Sequence, residues 1–150
     1  MENGDYLMEI DKIKKICVVG AGTMGHQIAL QCAVHNYDVH LVDNSKEALA
    51  KAQEEIRKIL KERVTLKEIS SDSMQKMLSR ISYTTDLVKA AEDADFIIEA
   101  VPENVEIKRQ VFSQLDRICP THTILATNSS SIRGSLLVDA TKRPEKMVNM

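Results

Sequence analysis

The chain has 150 residues, enough to bury one hydrophobic core and too few for two full domains. Its 20 basic and 22 acidic side chains leave a formal charge of -2 with neither sign gathered into a block, so nothing favours nucleic acid or an anionic membrane as partner. No apolar run reaches the roughly 20 residues of a membrane helix, and three scattered cysteines without a C-x-x-C or a histidine pair read as reduced, buried thiols with no metal site, suited to a reducing compartment such as a bacterial cytoplasm or a mitochondrial matrix, the cytoplasm being the expected location.

Residues 1–13 are polar and aperiodic, lack an apolar stretch of signal-peptide length, and read as an N-terminal extension to a domain spanning 14–150. The apolar run Ile16-Cys17-Val18-Val19 then enters Gly20-Ala21-Gly22-Thr23-Met24-Gly25. Strand, glycine turn and helix in that order, with G-x-G-x-x-G spacing, make a phosphate-binding turn. Gly20 forms the sharp exit, Gly22 admits a pyrophosphate to the backbone, and Gly25 lets helix and strand approach. Thr23 and Met24 complete the turn as candidate cofactor contacts. Apolar positions Met24, Ile28, Ala29, Cys32 and Ala33 predict a helix to about His35, with Asn36 as its stop.

Asp38 to Val42 reads as a second strand, ending at Asp43. That carboxylate lies about 18 residues past Gly25, against about 20 in the dinucleotide fingerprint, where an acid at this strand end accepts the adenosine ribose hydroxyls. A 2'-phosphate would meet its negative charge, and Asn44 and Ser45 supply no arginine to pair with one. NAD is therefore expected over NADP. Asp43 could alternatively serve only the start of the next helix.

That helix, from Ser45 to about Arg63, and a second from about Ser71 to Leu78 form a helical excursion between the second and third strands. Lys61 and Lys67 within it are candidate contacts to an anionic substrate, although a solvated charged face is the favoured explanation for them. Ile81 to Thr84 reads as the third strand, Asp86 as the cap of a short helix Leu87 to Ala91, and Ala94 to Val101 as a strand buried on both faces. An amphipathic helix follows from Val105 to Ile118, then a strand Thr123 to Thr127, the polar turn Asn128 to Ser131, a helix from about Ile132 to Thr141, and an extended end, Lys146 to Met150.

Alternating strands and helices predict an α/β fold of Rossmann type, doubly wound around a mainly parallel sheet. Ligands of such sheets bind beyond the carboxyl ends of the strands. Gly20 to Gly25, Asp43, Val101 to Asn104 and Asn128 to Ser131 all fall there.

Five segments, GAGTMGHQIA, LVD, FIIEAVPENVEIK, ILATNSSSI and KRPEKMVNM, resemble in order the nucleotide-binding half of the L-3-hydroxyacyl-CoA dehydrogenases, including the bacterial 3-hydroxybutyryl-CoA enzymes. The resemblance implies reversible oxidation of a 3-hydroxyacyl-CoA to the 3-oxoacyl-CoA with NAD. It also implies roles: Glu103 and Lys108 as contacts to the cofactor and its nicotinamide-side ribose, Ser130 as the serine that orients the substrate oxygen, and Asn128 as shaping the same turn. Helix capping is the competing role for Ser130 and for Ser131, and a first-turn acid that for Glu103. Glu99 could simply hold neighbouring backbone.

In that family the segment like KRPEKMVNM leads into the catalytic histidine, and a helical second domain follows with its glutamate partner and the main dimer interface. The expectation is thus a domain that binds NAD but is inactive alone, from a protein that oligomerises through that second domain. His26, His35, His40 and His122 do not match the family's base and read as incidental. Two alternatives stay open at this point: a stand-alone dinucleotide-binding module, and an NAD-dependent dehydrogenase for a related hydroxy acid.

Overall fold

The computed structural model describes residues 10–150. Of the expected extension, residues 1–9 lie outside the described residues, and Ile10–Lys12 form a single 3-10 turn. Six strands make one sheet: β1 (Lys15–Val19), β2 (Asp38–Val42), β3 (Ile81–Thr84), β4 (Phe96–Glu99), β5 (Ile124–Thr127) and β6 (Met147–Asn149). Their order is β3-β2-β1-β4-β5-β6 and every pairing is parallel. That is the doubly wound arrangement, with the reversal of strand order between β1 and β4.

Five helices cover the sheet: α1 (Thr23–Val34), α2 (Lys46–Thr65), α3 (Ser71–Ser79), α4 (Leu87–Ala91) and α5 (Val105–Ile118). Alternation along β1 divides the core. Ile16 and Val18 pack with Ala29, Leu30, Ile56, Leu60 and Met74 from α1, α2 and α3, while Cys17 and Val19 pack with Ala90, Phe112 and Leu115 from α4 and α5. Local chemistry sets the helix ends. Ser45, Ser70, Asp86 and Asn104 each accept a first-turn N–H on the side chain, and Asn36, at φ 70, takes the left-handed conformation that stops α1.

Two expectations need correction. The β4 strand is shorter than Ala94 to Val101, because the side chain of Glu99 accepts the N–H of Val101 and Pro102 has none to offer. The helix expected from Ile132 to Thr141 is absent; Gly134–Leu136 and Val138–Ala140 are separate 3-10 turns. Arg109 of α5 donates to the carbonyl of Leu136 (2.6 Å) and to Asp139, and so takes the acceptor that would continue a helix. Arg143 then ties the chain to the end of α5 through Asp116 Oδ1 (2.9 Å) and the carbonyls of Asp116 and Cys119, which delivers β6 to β5.

At the strand-order reversal the backbone is in contact with itself. A Cβ on Gly25 would stand 1.7 Å from the carbonyl oxygen of Gly20, and one on Gly20, whose φ is +107°, would stand 2.5 Å from the carbonyl oxygen of Ala100. Gly22 differs: a Cβ there would meet nothing within 4 Å, and its φ of -71° suits any residue. Gly25→Ala is therefore expected to lower stability by about 1–3 kcal/mol or more, as overpacking does, whereas Gly22→Ala should leave the urea unfolding midpoint within error of wild type. Equal midpoints for both variants would contradict this packing.

Candidate cofactor-binding site

A cleft of about 740 Å³ opens beyond the carboxyl ends of β1, β2 and β4, lined by the glycine turn, Asp43, Asn44, Ala48, Leu87, Ala100 to Pro102, and Ile107 and Val111 of α5. Thr23 and Met24 are on its wall. Asp43 joins the second strand to the glycine turn: its Oδ2 accepts the N–H of Ala21 (2.8 Å) and its Oδ1 that of Ser45 (2.9 Å). Each carboxylate oxygen keeps acceptor capacity beyond those bonds. Gly22 caps α1 with no side chain over the first turn, so the helix presents unpaired N–H groups where its dipole is positive. The void left by the missing Cβ of Gly22 and these donors suit a pyrophosphate. The wider cleft, apolar around Val42, Leu87, Ile107 and Val111, suits an adenine.

At the other side of the strand-order reversal stands a linked set of charges. Lys108 projects from α5 into the core and is fully buried, as is Glu99 at the end of β4. The Lys108 ammonium donates to Glu99 Oε1 (2.9 Å) and Oε2 (2.8 Å) and lies 3.3 Å from Glu103 Oε2. Glu99 also accepts the hydroxyl of Thr127 (2.8 Å) and the N–H of Val101 (2.9 Å). Glu103 is partly exposed. It accepts the hydroxyls of Ser129 and, at 2.8 Å, Ser131. Those two hydroxyls first, and the Lys108 charge after them, hold its carboxyl down at about 2.

The structure thus gathers Gly20 to Gly25, Asp43, Glu103 and the Asn128 to Ser131 turn around the ends of β1, β2, β4 and β5. Asn128 is held by its N–H to the carbonyl of Glu99 (2.9 Å). Ser130 is exposed between Ser129 and Ser131. With no helix starting at Ile132, the capping role weighed for Ser130 and Ser131 has no helix to serve; Ser129 Oγ instead accepts the N–H of Ile132 (2.9 Å) and holds the turn. Lys108 lies behind Glu103 with no exposed surface. Lys61 and Lys67 line no part of the cleft; α2 carries Lys61 roughly 24 Å along its axis from Ser45. None of the four histidines lines it either, and His122 pairs with Asp95 (3.0 Å).

Ser129 and Thr127 were not among the sequence candidates. Their signal is weak, since a serine-rich turn offers three equivalent hydroxyls. Glu99 and Lys108 carry a stronger one: a lone acid in the apolar run FIIEA, and a lysine at the spacing Val105, Lys108, Phe112, Leu115 that marks the buried face of α5.

An all-parallel sheet in this order, a glycine turn opening a helix, and an acid at the end of the second strand define a dinucleotide-binding domain. Residues 15–150 match the family described as "3-hydroxyacyl-CoA dehydrogenase, NAD binding domain", and the chain belongs to that family. It is 37% identical over 139 residues to a probable 3-hydroxybutyryl-CoA dehydrogenase of Bacillus subtilis, covering 93% of this chain and 48% of that protein. With the mitochondrial hydroxyacyl-coenzyme A dehydrogenase of Sus scrofa it shares 34% identity over 143 residues, covering 92% of this chain and 46% of the relative. A crystal structure of 3-hydroxybutyryl-CoA dehydrogenase from Escherichia coli K12 superposes with a TM-score of 0.89 at 37% identity, over 92% of this chain and 29% of that one. The chain thus spans about half, or less, of the relatives it matches.

The lowered Glu103 carboxyl gives a stability test. Folded Glu103 stays ionised below its ordinary 4.5, so its contribution is complete above that pH and is lost as pH falls from 4.5 to about 2. In urea unfolding across that window, the stability difference between wild type and Glu103→Gln is expected to shrink with falling pH. A difference that stays constant would show that the serine contacts do not form in solution.

Proposed function

We propose that the chain binds NAD in this cleft and that the protein it represents interconverts 3-hydroxyacyl-CoA and 3-oxoacyl-CoA. The observation that carries the reading is the bond from Ala21 N–H to Asp43 beside the open space at Gly22, which joins a ribose acceptor and a pyrophosphate cradle on one wall. NAD would supply hydride transfer at its nicotinamide. In this reading Gly20, Gly22, Thr23, Met24 and Gly25 receive the pyrophosphate, and Asp43 accepts the adenosine ribose hydroxyls. Glu103 faces the nicotinamide-side ribose, and Asn128 and Ser130 stand where the substrate oxygen is oriented. Proton transfer falls to a histidine of a second domain, consistent with the greater length of the relatives and with the absence of histidine from the cleft lining.

The same reading extends to an acyl-CoA of short chain in butanoate metabolism, in keeping with the names of several relatives. It extends also to a homo-oligomer assembled through that second domain, and to a cytoplasmic location, for which three free thiols argue.

Two measurements test it. Asp43→Ala should weaken NAD binding by about tenfold, the scale of a charged hydrogen bond, and narrow the preference for NAD over NADP; unchanged affinity for both would remove Asp43 from the site. The longest native polypeptide containing this chain should reduce acetoacetyl-CoA with NADH, and absence of that reaction would sink the enzyme assignment.

A further inference from the structure

The cleft wall carries five polar side chains: Thr23, Asp43, Asn44, Thr85 and Gln114. Thr23 opens α1, and Asp43, Asn44 and Thr85 lie just past β2 and β3, so these four stand at the carboxyl edge of the sheet. Gln114 differs, because it comes from the middle of a helix. On α5 the wall residues Ile107, Val111 and Gln114 follow one another at intervals of four and three, which places them on one helix face. That face is apolar until it ends in the Gln114 amide, roughly 10 Å along the axis from Ile107. Gln114 also borders the groove on the outer side of α5 beside Gln110 and Ser113, so it stands at the rim where the cleft ends. Its side chain is exposed and makes no hydrogen bond or ion pair among the described residues.

A solvated glutamine is ordinary on a helix; one that closes an apolar wall facing a nucleotide cleft is placed for recognition. With NAD in the cleft, the glycine turn and Asp43 hold the pyrophosphate and the adenosine ribose, and Val42, Leu87, Ile107 and Val111 supply apolar surface for the base. None of those apolar groups distinguishes one purine from another, for they carry no donor or acceptor. The edge of adenine offers an amino donor at N6 beside ring-nitrogen acceptors at N1 and N7. A glutamine amide presents an acceptor and a donor in one plane and pairs with that edge through two hydrogen bonds. We infer that Gln114 is the residue that reads the adenine: its amide oxygen accepts from the N6 amino group and its NH₂ donates to the neighbouring ring nitrogen. The inference rests on the assignment of the cleft to NAD and adds to it a determinant of base specificity on α5.

The test is a cycle between the side chain and the base edge. Calorimetric titration pairs wild type and Gln114→Leu with NAD and with its 1,N6-etheno derivative, in which the added ring takes up N1 and leaves N6 without a proton. Leucine matches glutamine closely in helix propensity at this exposed site, so the variant is expected to fold as wild type does. Wild type is expected to bind NAD about fivefold more tightly than the etheno derivative, on the scale of one or two hydrogen bonds at an exposed rim. Gln114→Leu should lose that factor for NAD, hold its affinity for the etheno derivative within about twofold, and so cease to distinguish the two, the coupling expected of groups in direct contact. Equal losses for both ligands overturn the inference, because they mark a general effect on the cleft. So does an unchanged preference for NAD in Gln114→Leu, or a preference that disappears with Asn44→Ala instead, which would place recognition of the base on the turn after β2. Wild type that binds neither ligand removes the assignment of the cleft and the inference with it; wild type that binds NAD without preferring it to the etheno derivative removes the inference alone.

Discussion

The crossing of three backbone segments at the strand-order reversal is the constraint on which the rest depends. Gly25 of α1 sits against the carbonyl of Gly20, and Gly20 against the carbonyl of Ala100, at separations that exclude any side chain. That contact brings the first turn of α1 down onto the ends of β1 and β4, so the free N–H groups of the helix open into the cleft. It also fixes the distance between the two halves of the site. The Asp43 carboxylate can then reach Ala21 N–H from the neighbouring strand, and the wall from Ala100 to Pro102 closes the far side. Stability and ligand access are separated within six residues: Gly20 and Gly25 are demanded by the protein's own packing, and Gly22 only by what the cleft receives.

A second constraint is electrostatic. Burying Glu99 and Lys108 removes two charges from water, which costs several kcal/mol per ion unless each is matched. Here the match is complete, for no buried side-chain nitrogen or oxygen among the described residues lacks a partner. The pair gains definition of place more than stability. Three donor groups make four hydrogen bonds to one carboxylate from three segments, and a displacement of any of them leaves a buried carboxylate oxygen short of a partner. The exposed end of the set is Glu103, clamped by Ser129 and Ser131 from the turn after β5. The turn after β4 and the turn after β5 are thereby one unit, although 26 residues separate Glu103 from Ser129.

Much of this was legible in the chain because its signals are local. Glycine spacing, the apolar runs of β1, β4 and β5, and the cap Asp86 each act within a few residues, and the elements formed near where those signals placed them, β4 being shorter than its apolar run. The segment after Ser131 shows the opposite. Its composition allows a helix, but Arg109, from an element 27 residues earlier, takes the carbonyl of Leu136 and breaks the run into 3-10 turns. In the serine turn, three identical side chains one residue apart have different fates: Ser129 buried between Glu103 and the N–H of Ile132, Ser130 exposed, Ser131 exposed and bonded to Glu103.

The amino-acid sequence by itself thus determined the doubly wound α/β class, the helical excursion between β2 and β3, and the glycine turn with the acid at the end of the second strand, because backbone sterics and hydrophobic periodicity are written in neighbouring residues. Only the tertiary structure decided that Lys108 turns inward to Glu99, that Ser129 rather than Ser130 or Ser131 accepts the N–H of Ile132, and that Lys61 and Lys67 line no part of the cleft. The reason is physical. The partner of a charge is whichever opposite group the fold brings within about 3 Å, and that distance is set by packing between elements far apart in the chain.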